Sequence, residues 1–430
     1  MARPESAKGV VEAGSHALRG LRACHPRIGV LALALVAVGA DDPKPAPPAV
    51  AGPVFTATLT DAKTAAGRLR QLGGPEGKVT LVDEEGAEHS WPLKDVVKLS
   101  RNGDPPQGTA EGQLVLFPDG DRLHVGSIGT TTETTLDVKA EGLGDLKLPL
   151  EAPLGLVLNP PGEADAAEEL IGRARREPRK AEVLWLANGD RMDGGFLGIG
   201  PQTIQFQPEA GKLEVNRSGV LAVGFDPKLV AYPMPKGDWL ELTLDDGTRL
   251  GVSEARVEQG VVFAKARFGL PIRLGVERLA RVHARTGSVA YLSDREADAE
   301  RYTGYIGPVR PYRRDLTVDG HPFRLGGEPF DHGVGTTSKT ILAYKLAPGD
   351  RRFQALVGLD DRAGPLGNAV FRVLVDSRER FASPPMSARA TPRPVDVDVA
   401  GAKVLFLVTE FGDRGDVRDL ADWVEARLVR

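Results

Sequence analysis

Sulfur is scarce in this chain: 430 residues hold one cysteine and four methionines. The cysteine, Cys24, precedes the apolar run Ile28 to Val38. Beyond it there is no thiol for catalysis or metal binding and no internal disulfide, so packing alone has to stabilise the rest. Aromatic residues make up only 6% of the chain. A basic excess is missing as well, since 55 Lys and Arg face 59 Asp and Glu. No field is available to draw in nucleic acid or anionic lipid. Catalytic signatures are also lacking. There is no Gly-x-Ser-x-Gly, no His-Glu-x-x-His and no phosphate loop, and His89, His124, His283, His321 and His332 are scattered without ligand spacing.

The first forty residues are basic and then apolar, with Arg19, Arg22 and Arg27 ahead of Ile28 to Val38 and the small residues Val38-Gly39-Ala40. This is the pattern of a secretory signal peptide cleaved after Ala40. The alternative, an uncleaved anchor, needs a run closer to the ~20 residues that span a bilayer. Either way the bulk of the chain is expected outside the cytoplasm, periplasmic or secreted, with no membrane span after cleavage. Cleavage leaves 50 basic against 57 acidic residues, a mildly acidic protein.

A chain of this length needs more than one hydrophobic core. Residues 41–53 (DDPKPAPPAVAGP) read as an extended linker. From Phe55 to about Arg285 one pattern recurs, most plainly over Val183 to Phe225. It runs apolar strand, Asn188-Gly189 turn, Gly-rich strand, alternating strand, Ala210-Gly211 turn, closing apolar run. Copies begin at Gln113 to Gly120 and Leu240 to Gly247, and a degenerate one spans Phe55 to Leu99. Each is a small barrel or curled meander, loosely SH3-like or Sm-like, able to pair its edge strands with the next. Between the second and third lies Ala164 to Arg176, whose acidic start and basic end suit a short helix.

After Tyr291 the strands lengthen. Phe371, Val373 and Val375 alternate with Arg372, Leu374 and Asp376, and Val395, Val397 and Val399 with Asp396 and Asp398, as half-buried antiparallel strands do. Several strings stand here in a fixed order: Tyr291-Leu292-Ser293-Asp294, Pro311-Tyr312-Arg313-Arg314-Asp315, Leu325-Gly326-Gly327-Glu328-Pro329-Phe330, Gly333-Val334-Gly335, Gly358-Leu359-Asp360-Asp361, Phe371 to Asp376, and Asp419 to Leu428. In this the segment resembles the NPCBM carbohydrate-binding family. The resemblance implies a galactose-binding-like jelly roll, sugar binding and, often, a structural calcium. The family commonly has a histidine two residues after the Gly-x-Gly, where this chain has Thr337. A hydroxyl can hydrogen-bond a sugar but presents no imidazole face.

Sugar sites need planar hydrogen-bonding groups and an aromatic face. The candidates are Tyr302, Tyr305, Tyr312, Arg313, Thr337 and Trp423, against the competing expectation that the aromatics are core, above all Trp423. For calcium, which needs hard oxygen ligands on irregular backbone, the candidates are Asp360, Asp361, Asp413 and Asp416; acidic turn residues that cap backbone give the same pattern. Arg414-Gly415-Asp416 spells an adhesion tripeptide, but a glycine turn between charges explains it equally. Adjacent Asp360 and Asp361 would face opposite sides of a strand, which is not a hydrolase dyad.

The expected protein is all-β. A leader (1–40) and linker (41–53) precede small β units over 54–104, 112–160, 181–228 and 237–285. A helical connector covers 161–180, and a galactose-binding-like sandwich covers 286–430. The expected function is exported, non-catalytic glycan binding. The alternative is a structural or protein-interaction component of the cell envelope, its sandwich blind to sugar and its repeats docking partners through strand edges. The composition, rich in Ala, Gly and Arg, suggests a bacterial source.

Overall fold

Three of the four small units are built from the same five strands. The first unit runs Val54–Leu59, Thr64–Gly73, Lys78–Val82, Glu88–Pro92 and Val96–Arg101. The third runs Glu182–Leu186, Arg191–Ile199, Thr203–Gln207, Leu213–Asn216 and Val220–Gly224, and the fourth Trp239–Leu244, Arg249–Glu258, Val261–Ala266, Pro271–Gly275 and Leu279–Arg285. In each, one 3-10 turn precedes the last strand, and the first strand pairs with both the second and the last. The long second strand is bulged, between Leu69 and Gln71, Phe196 and Gly198, and Ser253 and Arg256. A bulge bends and twists a strand, which lets so short a sheet curl over its own core. The unit with the most degenerate sequence, 54–104, thus has the full strand order. The second unit departs instead: Ser127–Thr131, Thr135–Ala140 and Gly144–Pro149 form a separate three-stranded sheet.

These strands come from a computed structural model that describes residues 52–74, 76–103, 112–304, 310–413 and 415–430, all within one unit, Pro47–Arg430. The leader, Cys24, the Ala40 cleavage position and nearly all of the linker lie outside the described residues, as do Tyr305 and Arg414.

Edge pairing does not simply follow chain order. The last strand of the second unit, Gly155–Val157, pairs with the last strand of the third. The last strand of the first unit pairs with that of the fourth, matching Leu99 with Val282 and Lys98 with His283. In both joints two units meet last strand to last strand, so the free edge of each is covered by the other. The two pairs touch where Arg122 pairs with Arg249. A shared core runs through Phe55, Leu72, Phe117, Phe206 and Leu242.

The helix forms over Ala164–Arg176, with Asp165 in its first turn and Arg173, Arg175 and Arg176 in its last. It does more than connect. Leu170 and Ala174 pack on Leu114, Leu116, Trp185 and Ala222, sealing the joint between the second and third units.

The C-terminal segment is a sandwich of two antiparallel sheets. One contains Arg313–Arg314, Gly333–Thr336, Ala421–Val429, Arg352–Leu359 and Arg393–Asp398; the other contains Ala299–Tyr302, Thr340–Lys345, Val404–Phe411, Asn368–Val375 and Arg378–Ala382. Phe353, Phe371, Leu407 and Trp423 fill the space between them. The Gly-x-Gly at Gly333 and Gly335 serves close packing: a Cβ on Gly335 would lie 2.3 Å from the Leu316 carbonyl oxygen, and one on Gly333 2.8 Å from that of Trp423.

Candidate functional site

The sugar-site candidates divide by burial. Tyr302 ends one edge strand, and Tyr312 directly precedes the next, Arg313–Arg314, in the opposite sheet. Both tyrosines are half-buried and Arg313 is exposed. The Tyr312 hydroxyl donates to Glu296 at 2.6 Å and accepts from the Ala297 N–H at 2.8 Å, and burial with the Glu296 bond pushes its pKa up to about 12. Two candidates are corrected. Trp423 is fully buried, 5.2 Å edge-on from Phe371, its Nε1 donating to Thr409 at 3.2 Å. Its strand is central, hydrogen-bonded on both sides, which removes it from solvent. Thr337 is 3% exposed, and its carbonyl accepts from the Thr340 hydroxyl. Neither can touch a bound sugar in this arrangement.

The acidic candidates do not gather around one point. Asp360 accepts from the Arg324 and Arg362 N–H groups, and Asp361 from those of Gly326 and Gly327. Asp413 is exposed and Asp416 half-buried, in the turn after Val404–Phe411. Among the described residues, the groups of three acids and histidines close enough for one ion are Glu241–His283–His332 and Asp165–Glu168–His321, and neither contains a predicted ligand. One observation does suit a cation. Asp422, beside Asp360, is buried with both carboxylate oxygens lacking a hydrogen-bond partner. Burial and then Asp360 push its pKa well above the carboxylate range.

The scattered histidines are not scattered in space. His283 of the fourth unit and His332 of the sandwich have ring centroids 5.1 Å apart. They stand in a buried ionic network that joins the two parts. His332 Nε2 lies 2.9 Å from Glu241, His283 Nε2 lies 3.2 Å from Glu425, Lys98 pairs with Glu425 at 3.3 Å and Arg281 with Asp331 at 2.7 Å. Arg249 Nε lies 3.4 Å from the same Glu241 oxygen. A metal among Glu241, His283 and His332 would face that guanidinium at close range, so the group is better matched to charge pairing. Burial opposes ionisation of Glu241, but Arg249 and His332 outweigh it and hold the carboxyl well below its usual range. The sequence carried no sign of this, because the partners lie 91 and 142 residues apart.

His332 makes the joint sensitive to alkali. Burial disfavours its charge, yet Glu241 and Asp315 outweigh burial and raise its pKa to about 10, against roughly 6.5 when unfolded. A raised pKa stabilises fully below the unfolded value and is lost as pH climbs through the folded one. The Tm is therefore expected to hold up to about pH 6.5 and then fall progressively toward pH 10, with His332→Gln flattening that slope. An unchanged slope in the variant would show that His332 is not the group responsible.

Beside the network opens a cavity of about 880 Å³ between the repeats, the helix and the sandwich. Glu241, Asp315, Asp331 and His332 line one side, and Arg122, Arg175 and Arg313 line others.

Comparison with known proteins bears on the sandwich. Residues 288–429 match the family described as the NPCBM/NEW2 domain. A protein of Renibacterium salmoninarum named "Putative endo-alpha-N-acetylgalactosaminidase" is 30% identical over 111 residues, 26% of this chain and 7% of that protein's own length. The match thus spans a small part of that relative. Among solved structures, a CBM51 from Clostridium perfringens GH95 in complex with methyl-galactose is 26% identical, covering 33% of this chain and 99% of the other at a TM-score of 0.31. A CBM51-2 with INT domains from Clostridium perfringens ZmpB, in complex with GlcNAc, is 23% identical over 42% of this chain and 40% of the other, also at 0.31. The sandwich that carries Trp423 at its centre, residues 288–429, is an NPCBM/NEW2 domain.

Proposed function

We propose that this chain is an exported, non-catalytic glycan-binding protein, whose four small β units hold the sandwich in a fixed pose. The observation that carries the reading is the family match across the whole sandwich. It is supported by the position of Tyr302 and Tyr312 where the chain crosses from one sheet to the other. Half-exposed tyrosines offer a ring face and a hydroxyl, groups a pyranose can pack on and hydrogen-bond. Export rests on the leader, and a structural calcium at Asp360 and Asp422 rests on the unpartnered Asp422 oxygens. The envelope-interaction alternative would use the strands Glu88–Pro92, Leu213–Asn216 and Pro271–Gly275, each paired on one side, because the last strands of the units pair with one another.

The test is a glycan array probed with the full mature chain, with and without calcium, alongside Tyr302→Ala. Binding to a defined set of neutral glycans is expected, weakened tenfold or more in the variant. Silence from folded protein in both conditions would end the sugar reading.

A further inference from the structure

Eleven arginines and seven carboxylates line the cavity between repeats and sandwich. Several of the arginines are paired. Arg249 meets Glu241, Arg267 meets Asp119, Arg281 meets Asp331 and Arg285 meets Asp294. Five are not: Arg122, Arg175, Arg176, Arg313 and Arg324 have no carboxylate within 4.0 Å among the described residues. Arg122 donates to the Gly247 carbonyl, Arg175 to those of Gly120 and Asp121, and Arg313 to that of Val318. Backbone carbonyls orient a guanidinium without neutralising it. Arg175 Nε is, in addition, buried with no partner at all.

These five guanidinium groups converge from three directions, with Asp331 and Asp246 acting on Arg122 and Asp121 on Arg175 without pairing to them. Arg122 comes from the second unit, Arg175 and Arg176 from the last turn of the helix, and Arg313 and Arg324 from the sandwich. The groups sense one another. Burial, then Arg122, Arg249 and Arg176, depress Arg175 to about 9, and burial with Arg313 depresses Arg176. Burial, then Arg122 and Arg175, push His124 on the same wall down to about 3, so it stays neutral. Arg122 and Arg175 are half-buried while Arg176, Arg313 and Arg324 reach solvent, so an anion entering the cavity would relieve the repulsion among them. Guanidinium is the group best shaped to grip carboxylate or sulfate oxygens in pairs. Phe117, Trp239, Phe323 and Phe330 also line the walls, with the Trp239 ring packed against Arg267 and Arg285 and the Phe330 ring against Lys98. The volume lies within the roughly 300–1,000 Å³ of ligand clefts.

We propose that this cavity binds a saccharide bearing fixed negative charge, as sulfate ester or uronate, gripped by Arg175 and Arg176 from the helix and Arg313 from the sandwich. The site is separate from the Tyr302 surface. Only its saccharide character rests on the function proposed above.

Calorimetry on the full mature chain tests it with four probes: a sulfated galactan oligomer, an oligogalacturonate of equal length, an uncharged galactan oligomer, and inorganic sulfate. At least one charged oligomer is expected to bind tenfold or more tighter than the uncharged one, and to lose at least fivefold between 50 and 300 mM salt. The preferred oligomer tells sulfate from carboxylate recognition. Arg175→Gln/Arg176→Gln is expected to lose tenfold or more for the charged oligomer. Arg313→Gln, at an exposed position, should weaken it severalfold without disturbing the fold. No preference for charge, or equal binding by both variants, overturns the proposal. Inorganic sulfate binding as tightly as the sulfated oligomer overturns the saccharide assignment. Neutral-glycan binding lost in Tyr302→Ala but kept in Arg175→Gln/Arg176→Gln reports on the other surface, so either reading can fail alone.

Discussion

Replacing Glu241 by alanine is expected to destabilise the joint between repeats and sandwich by about 3–5 kcal/mol, the usual loss when one partner of a buried ion pair is removed. Glu241 is 2% exposed, 2.9 Å from His332 Nε2 and 3.4 Å from Arg249 Nε. Its removal leaves an imidazolium and a guanidinium facing each other with less to oppose them. Urea unfolding should show a large midpoint drop, and the alkaline fall assigned to His332 should shrink, since Glu241 is the carboxylate that most raises that pKa. A loss under about 1 kcal/mol would mean that water screens the network and the two parts are joined by other contacts. If the sandwich then melts separately from the repeats, this network is what makes them unfold together.

Trp423→Ala is expected to lose a similar amount, about 3–5 kcal/mol, by a different route: a large apolar side chain leaves a cavity that its neighbours fill only in part. Trp423 has no exposed surface, and Phe371 packs edge-on against it. Trp423→Phe should cost less, because Thr409 keeps its bond to Thr336 at 2.8 Å when the indole N–H is gone. This pair decides between two roles for the residue. Lost stability with glycan binding intact in the surviving folded fraction marks Trp423 as core. Lost binding at unchanged stability would restore it to the sugar site.

Periodicity carried most of the local structure. The alternation of Phe371, Val373 and Val375 matches strand Asn368–Val375, buried at every second residue. The acidic start and basic end of Ala164–Arg176 match the one α-helix among the described residues, residue for residue. The Gly-x-Gly and Asp-Asp strings placed the C-terminal domain in its family. Trp423 was misplaced as a possible ligand because Ala421–Val429 is buried along its whole length, and a strand covered on both faces loses the alternation that would reveal its inward side.

The sequence by itself determined the recurring strand-and-turn pattern and the place of the helix, which depend on spacings of two to four residues, and its ordered strings marked the last third as an NPCBM/NEW2 sandwich. Only the tertiary structure decided which units pair, that His283 and His332 share Glu241, and that five arginines from the repeats, the helix and the sandwich face one cavity. Those outcomes depend on contacts between residues tens to hundreds of positions apart, and no local spacing encodes which distant charges will be left to face each other.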